Sequence, residues 1–184
     1  MNTTNTINAG SFAQYEDFDS IPYNCIKVMI ESDEQIWKLL KCNTADAWEK
    51  PDLTLDEKRA LIYNGNDNTA DFRVFMDIGQ PDVLTDEICI VRISTYSIYP
   101  ENRTIGTISV LFEVYANYKI NHLSNYKTRL DIIVKRFIQI FNGKTVAGIG
   151  KLYFDRVGSD NNRLENGGQL PFKGKWLLMS NKSN

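Results

Sequence analysis

Residues Asn121–Asp155 read NHLSNYKTRLDIIVKRFIQIFNGKTVAGIGKLYFD. Leu130, Ile133, Val134, Phe137, Ile138 and Phe141 recur at helical spacing, the pattern of a helix with one buried stripe. Lys127, Arg129, Lys135, Arg136 and Gln139 fall largely between them and are expected on the wet side. Asn142-Gly143 then predicts the stop, because glycine adopts the left-handed conformation after a helix without a Cβ penalty. A small-residue loop, Ala147–Gly150, and a strand, Lys151–Phe154, follow. The stretch therefore predicts a long amphipathic helix over 125–141 laid on a sheet.

Downstream, RVGSDNNRLENGGQ (Arg156–Gln169) is polar and glycine-containing and predicts a loop. It is long for an unstructured connection, and such loops are usually either functional or disordered. Phe172–Met179 is a final strand, expected to lie antiparallel to the strand around Leu152.

Upstream, the period changes from helix to strand at Asp71. Phe72–Met76 reads as a short strand, and Ile88–Tyr99 as a long β-branched one. Pro100–Arg103 is turn chemistry, and Thr104–Asn117 returns with Ile108, Val110, Phe112 and Val114 on one parity and Ile105, Leu111 and Tyr115 on the other. The two runs predict an antiparallel hairpin whose tip, Pro100–Thr104, projects from the sheet. Before it lies a helical segment. Ser20-Ile21-Pro22 opens one helix, with Ser20 as the expected cap. Ser32–Gln35 has the form of a capping box for a second helix over Asp33–Lys41, and Thr54–Glu57 for a third that reaches Ile62. Trp48, between them, is either a core plug or an interface anchor. Residues 1–19, rich in Asn and Thr, read as a flexible arm with aromatic and acidic residues near its end. The whole is an α+β chain: an arm over 1–19, then one domain over 20–184, with helices in 20–64 and the sheet-and-helix core in 70–180.

The composition narrows the function. The chain has 184 residues, 42% of them hydrophobic, and a formal net charge of −2. That charge supplies no bulk attraction to nucleic acid or to an anionic membrane. The opening segment has neither a basic nor an apolar leader region, and no apolar run approaches the ~18 residues of a span, so neither export nor a membrane span is expected. Three cysteines, Cys25, Cys42 and Cys89, form no C-x-x-C pair and are expected as reduced thiols, which implies a reducing compartment during folding. With a single histidine, His122, no zinc site is expected.

No reaction centre emerges. Gly143-Lys144-Thr145 imitates the end of a phosphate-binding loop, but Ile138 stands where the first glycine belongs, and the motif closes a helix rather than opening one. Gly148-Ile149-Gly150 is too short for a dinucleotide fingerprint. His122 has Asp131 as its nearest downstream carboxylate, but no nucleophile in a recognisable setting. Glu16, Asp17 and Asp19, and Asp52, Asp56 and Glu57, sit in the arm and at a helix N-terminus, where the dipole alone accounts for acids. No catalytic residue, cofactor or metal ligand is therefore expected. The polar hairpin tip and the loop after Arg156 are the candidate contact surfaces. Pro100, Asn102, Arg103, Arg156 and Arg163 are their interface candidates, since guanidinium groups suit interface pairing.

Four segments together resemble small neck proteins of tailed bacteriophages, of the tail-terminator or tail-completion type. They are Asp33–Leu40 (DEQIWKLL); Pro51–Arg59 (PDLTLDEKR) with Ile62–Gly65; Ile98–Thr104 (IYPENRT); and Asn121–Leu123 with Arg129–Asp131, Phe141–Gly143 and Gly148–Asp155. The likeness covers roughly residues 25–180, and the arm and the segment Trp48–Tyr63 depart from it. The resemblance implies a helix, antiparallel strands, a long helix on the sheet and a closing strand pair. It also implies a non-enzymatic ring, typically hexameric, between the tail tube protein and the head-closure or connector proteins. DNA would pass through the lumen with incidental contact only. The implied place is the virion neck, assembled in the cytoplasm of a bacterial host, with no membrane. Another neck ring, head-closure or adaptor, and a non-viral α+β binding module are the alternatives.

Overall fold

Three helices precede the sheet in the computed structural model, which describes residues 18–65, 71–76, 86–100, 106–160 and 171–182. Helix α1 spans Ile21–Ser32, α2 Gln35–Lys41 and α3 Leu55–Ala60. The hydroxyl of Ser20 caps no backbone N–H of α1, contrary to expectation. The box expected at Ser32 is also displaced, because Ser32 closes α1. Asp33 takes over, accepting from the Ile36 N–H (2.8 Å) through one carboxylate oxygen and from Arg136 Nε (2.6 Å) through the other. A buried carboxylate with a cationic partner makes a stronger cap than a hydroxyl, so α2 starts later than the sequence suggests. The Thr54–Glu57 box forms as read, with Thr54 N–H to Glu57 (2.8 Å) and Glu57 N–H to Thr54 Oγ1 (3.3 Å), but α3 ends at Ala60. Lys58 joins the three helices by donating to the Ile30 carbonyl (3.3 Å) and to Glu34 (2.5 Å).

The sheet contains β1 (Val74–Phe75), β2 (Cys89–Pro100), β3 (Gly106–Asn117), β6 (Tyr153–Asp160) and β7 (Phe172–Ser180); β4 (Thr145–Val146) and β5 (Gly150–Lys151) make a separate small ribbon. Its order is β1-β2-β3-β7-β6, antiparallel except for the short parallel β1 at one edge. The hairpin β2–β3 is paired from Cys89↔Ala116 to Pro100↔Gly106, with a bulge between Thr95 and Ser97. The expected loop at Arg156 is a strand as far as Asp160, paired with β7. An edge strand tolerates solvated polar side chains, so polarity there is not a loop signal. Residues 1–17, the tip at 101–105 and 161–170 lie outside the described residues.

Helix α4, Arg129–Phe141, covers one face of this sheet. It begins at Arg129 rather than near 125, capped by Thr128 Oγ1 accepting from the Asp131 N–H (3.2 Å), and it stops before Gly143, whose φ is +78°. Leu130, Ile133, Val134, Phe137 and Phe141 are buried on Val91, Ile93, Val110, Phe112, Leu177 and Met179. The Phe112 ring centroid lies 5.1 Å from Phe137 and 4.8 Å from Phe141, distances at which ring pairs add to burial.

Arg129 corrects the sequence reading most sharply, because it is fully buried rather than on the wet side. Nε donates to the Ile120 carbonyl (3.1 Å), and the terminal nitrogens donate to the carbonyls of Leu39, Cys42 (2.8 Å) and Thr44 (3.1 Å). A cation at the start of its own helix is unfavourable, but this guanidinium reaches the C-terminal end of α2, where carbonyls need donors and the dipole welcomes positive charge.

All three cysteines are unpaired. Burial pushes the Cys25 and Cys89 thiols up to about 12, and only the thiolate is an effective nucleophile. Alkylation of the folded protein should therefore modify Cys42 at most, with all three reacting after denaturation. Rapid native labelling of Cys25 or Cys89 would contradict this burial.

Candidate functional site: the open face of the sheet

The alternation of β-strands sends every second side chain away from α4. On β3 these are Ser109, Leu111, Glu113 and Tyr115; on β7, Trp176 and Leu178; on β2, Arg92, Ser94 and, through the bulge, Tyr96; on β6, Arg156 and Gly158. Among the described residues no helix packs on this side. One end is closed by a small apolar cluster of Ile88, Ile90, Tyr115 and Phe172, with Phe75 against it.

Beyond that cluster lies a recess of about 310 Å³ lined by Tyr96, Leu111, Glu113, Arg156, Trp176 and Leu178. Its walls are aromatic and aliphatic, and its floor is ionic. Tyr115 Oη donates to Glu113 Oε1 (2.8 Å), and Arg92 Nη1 stands 3.7 Å from Glu113 Oε2. Among the described residues the buried Oε2 accepts no hydrogen bond, and the buried Ser94 Oγ has no hydrogen-bond partner either. Buried polar atoms normally have partners, so a donor from another molecule entering the recess would gain an acceptor already desolvated. Arg156 is exposed, with its guanidinium 5.8 Å from the centroid of the Trp176 ring, within the range of a cation–π contact.

Gly158 makes this arrangement possible, because a Cβ there would overlap the Trp176 indole. Gly158→Val should therefore displace the indole and cost about 1–3 kcal/mol by overpacking. Denaturation with tryptophan emission as the probe reads both effects, and an unchanged spectrum and midpoint would show that the indole has room to spare.

Of the expected interface residues, the structure brings Arg156 alone into a defined site, and it does so from an edge strand rather than a loop. Pro100 ends β2 at the hairpin tip; Asn102, Arg103 and Arg163 lie outside the described residues.

The candidate chemical groups are dispersed. His122 is exposed and joined to Thr128 by a backbone bridge. Asp131, its possible orienter, is taken by Thr128 and Lys175. Asp52 pairs with Lys38 (2.9 Å). The hydrogen bond from Lys41, with the capping bonds of Thr54, holds the Glu57 carboxyl down at about 2, which suits a fixed anion and not a proton carrier. Among the described residues no three His, Cys, Asp or Glu side chains could hold a metal ion, and no helix is long and apolar enough to cross a membrane.

The YomW family model matches residues 33–167, well over half of the chain. The chain belongs to the YomW family. YomW is a Bacillus phage-type gene product name, and the chain is accordingly phage-associated. No curated protein and no solved structure matches it.

The YomW match begins at Asp33, the cap of α2, and passes the end of β6, so Tyr96, Leu111, Glu113, Arg156 and Gly158 fall within it while Trp176 and Leu178 on β7 do not. Sequence reasoning missed the recess of this YomW-family chain, although one signal was present. Leu111 and Tyr115 are apolar on the parity opposite to Val110, Phe112 and Val114. A strand with apolar residues on both parities has two faces that exclude water.

Proposed function

We propose that this YomW-family chain is a structural virion protein of a phage neck, a hexameric ring that terminates the tail tube and joins tail to head. The observation that carries the reading is the open sheet face, with its aromatic recess and an acceptor, Glu113 Oε2, that receives no hydrogen bond among the described residues. Such a face is suited to being covered by another protein. A closed ring repeats one heterologous contact, so each copy needs two different complementary surfaces; the recess with Arg156 supplies one. The phage association of the family supports the setting. The partners are further copies of the chain, the tail tube protein and head-closure or connector proteins, with DNA in the lumen touching the ring incidentally. A net charge of −2 fits that bystander relation to DNA. The ring performs no catalysis and needs no cofactor.

Native mass measurement of the purified chain should give a closed ring, and a monomer at all concentrations would remove the proposal. Deletion of the gene from the phage should leave filled heads without tails, beside tails with abnormal upper ends. Fully infectious particles would refute the assignment, and heads that leak DNA beside normally finished tails would transfer it to the head-closure ring.

A further inference from the structure

A second concavity lies on the opposite, helical side of the molecule. It is a groove of about 550 Å³ whose rim includes Trp48, Tyr126, Lys127, Lys135 and Arg136. Three features separate it from an ordinary crease between helices.

The first is Tyr126. Its ring is fully exposed, and its backbone sits at φ +61°, the left-handed region. Glycine or asparagine would occupy that position more cheaply, and a bulky side chain pays roughly 1–2 kcal/mol there. The turn is fixed by the Leu123 N–H to the Lys127 carbonyl (3.0 Å) and the Tyr126 N–H to the Leu123 carbonyl (3.2 Å). An aromatic ring is thus held out in water by a strained, well-bonded turn.

The second feature is charge. Asp131 is engaged by Lys175, and Arg136 is turned to Asp33. Among the described residues Lys127 and Lys135 have no carboxylate partner, so the groove keeps two uncompensated positive charges beside its aromatics.

The third is what the chain offers in return. Residues 1–17 contain no Lys or Arg and end in Tyr15-Glu16-Asp17. They join the domain at Phe18, whose carbonyl accepts from Thr95 Oγ1 (3.3 Å). Thr95 pairs with Val110, six residues along β3 from Ala116 and so roughly 20 Å from the end of the sheet that leads into the Tyr126 turn. Tyr15 stands three residues before Phe18 and so reaches about 10 Å from it at most, which is short of the Tyr126 turn of its own copy. A groove within reach of Tyr15, Glu16 and Asp17 is therefore one that an adjacent copy sets beside Phe18.

We propose that the groove beside Tyr126 receives the N-terminal segment of a second copy, with Tyr15 against the Trp48–Tyr126 wall and Glu16 and Asp17 facing Lys127 and Lys135. This deepens the ring reading and rests on it for the presence of an adjacent copy. It gives each copy a second surface, distinct from the sheet recess.

The test uses the full chain with p-benzoylphenylalanine introduced at position 126, prepared as a mixture of ¹⁴N- and ¹⁵N-labelled protein, irradiated and mapped by mass spectrometry. The expected product is an isotopically mixed crosslink to a peptide within residues 1–17. Lys127→Glu with Lys135→Glu should lower its yield about fivefold, and Glu16→Lys with Asp17→Lys in the partner copy should restore it. Crosslinks confined to the same copy, crosslinks to another part of the chain, or none would overturn the inference. Native mass of the same samples separates the two failures. An intact ring without the mixed crosslink sinks the groove alone. A smaller oligomer that retains the crosslink sinks the ring and keeps the groove.

Discussion

Arg129→Met should lower the unfolding free energy by about 3–5 kcal/mol. The guanidinium is fully buried and serves four backbone carbonyls, those of Ile120, Leu39, Cys42 and Thr44. Methionine fills much of the volume but donates nothing, so those carbonyls are left without this donor in a site that water reaches poorly. Burial pulls the guanidinium pKa below its ordinary value, and the surrounding carbonyls offset that cost. Arg129→Lys should recover only part of the loss, because one ammonium cannot reproduce a planar fork. Chemical denaturation checks both variants; the midpoint should fall with little change in slope. A loss below about 1 kcal/mol for Arg129→Met would mean that the loop after α2 finds other donors.

Phe137→Ala should cost about 3–5 kcal/mol, the range for truncating a fully buried aromatic ring. Phe137 has no exposed surface and packs in a triangle of rings with Phe112 and Phe141. Its removal opens a cavity where α4 meets the centre of the sheet, the part of the molecule least able to collapse. A double-mutant cycle with Phe112→Ala should show a coupling of about 0.5–1.5 kcal/mol beyond the two separate losses. A single-mutant effect below about 1 kcal/mol would show that the helix stripe does not carry the core.

Both residues belong to the same thirteen-residue helix, and their legibility in the sequence was opposite. Phe137 was readable because hydrophobic periodicity is local: it repeats every 3.6 residues whatever the helix packs on. The same holds for the Thr54–Glu57 box, for the glycine that ends α4, and for the hairpin β2–β3, where two β-branched runs flank turn residues. The α+β class followed from these local patterns.

Arg129 was not readable, because its role depends on carbonyls 85–90 residues earlier in the chain. Nothing local distinguishes a buried arginine at the start of a helix from a solvated one. Asp33 and Arg136 are the same case at a separation of 103 residues. Arg156 was named from the sequence as a contact residue, but for a loop that proved to be an edge strand. Its neighbours Tyr96, Glu113, Gly158 and Trp176 come from four strands whose order, β2-β3-β7-β6, is not the order of the chain. Local sequence set the period and parity of each element and so which side chains share a face. Tertiary structure alone decided which strand lies beside which, and with it the recess, because strand pairing is a contact between distant segments and leaves no periodic trace in either one.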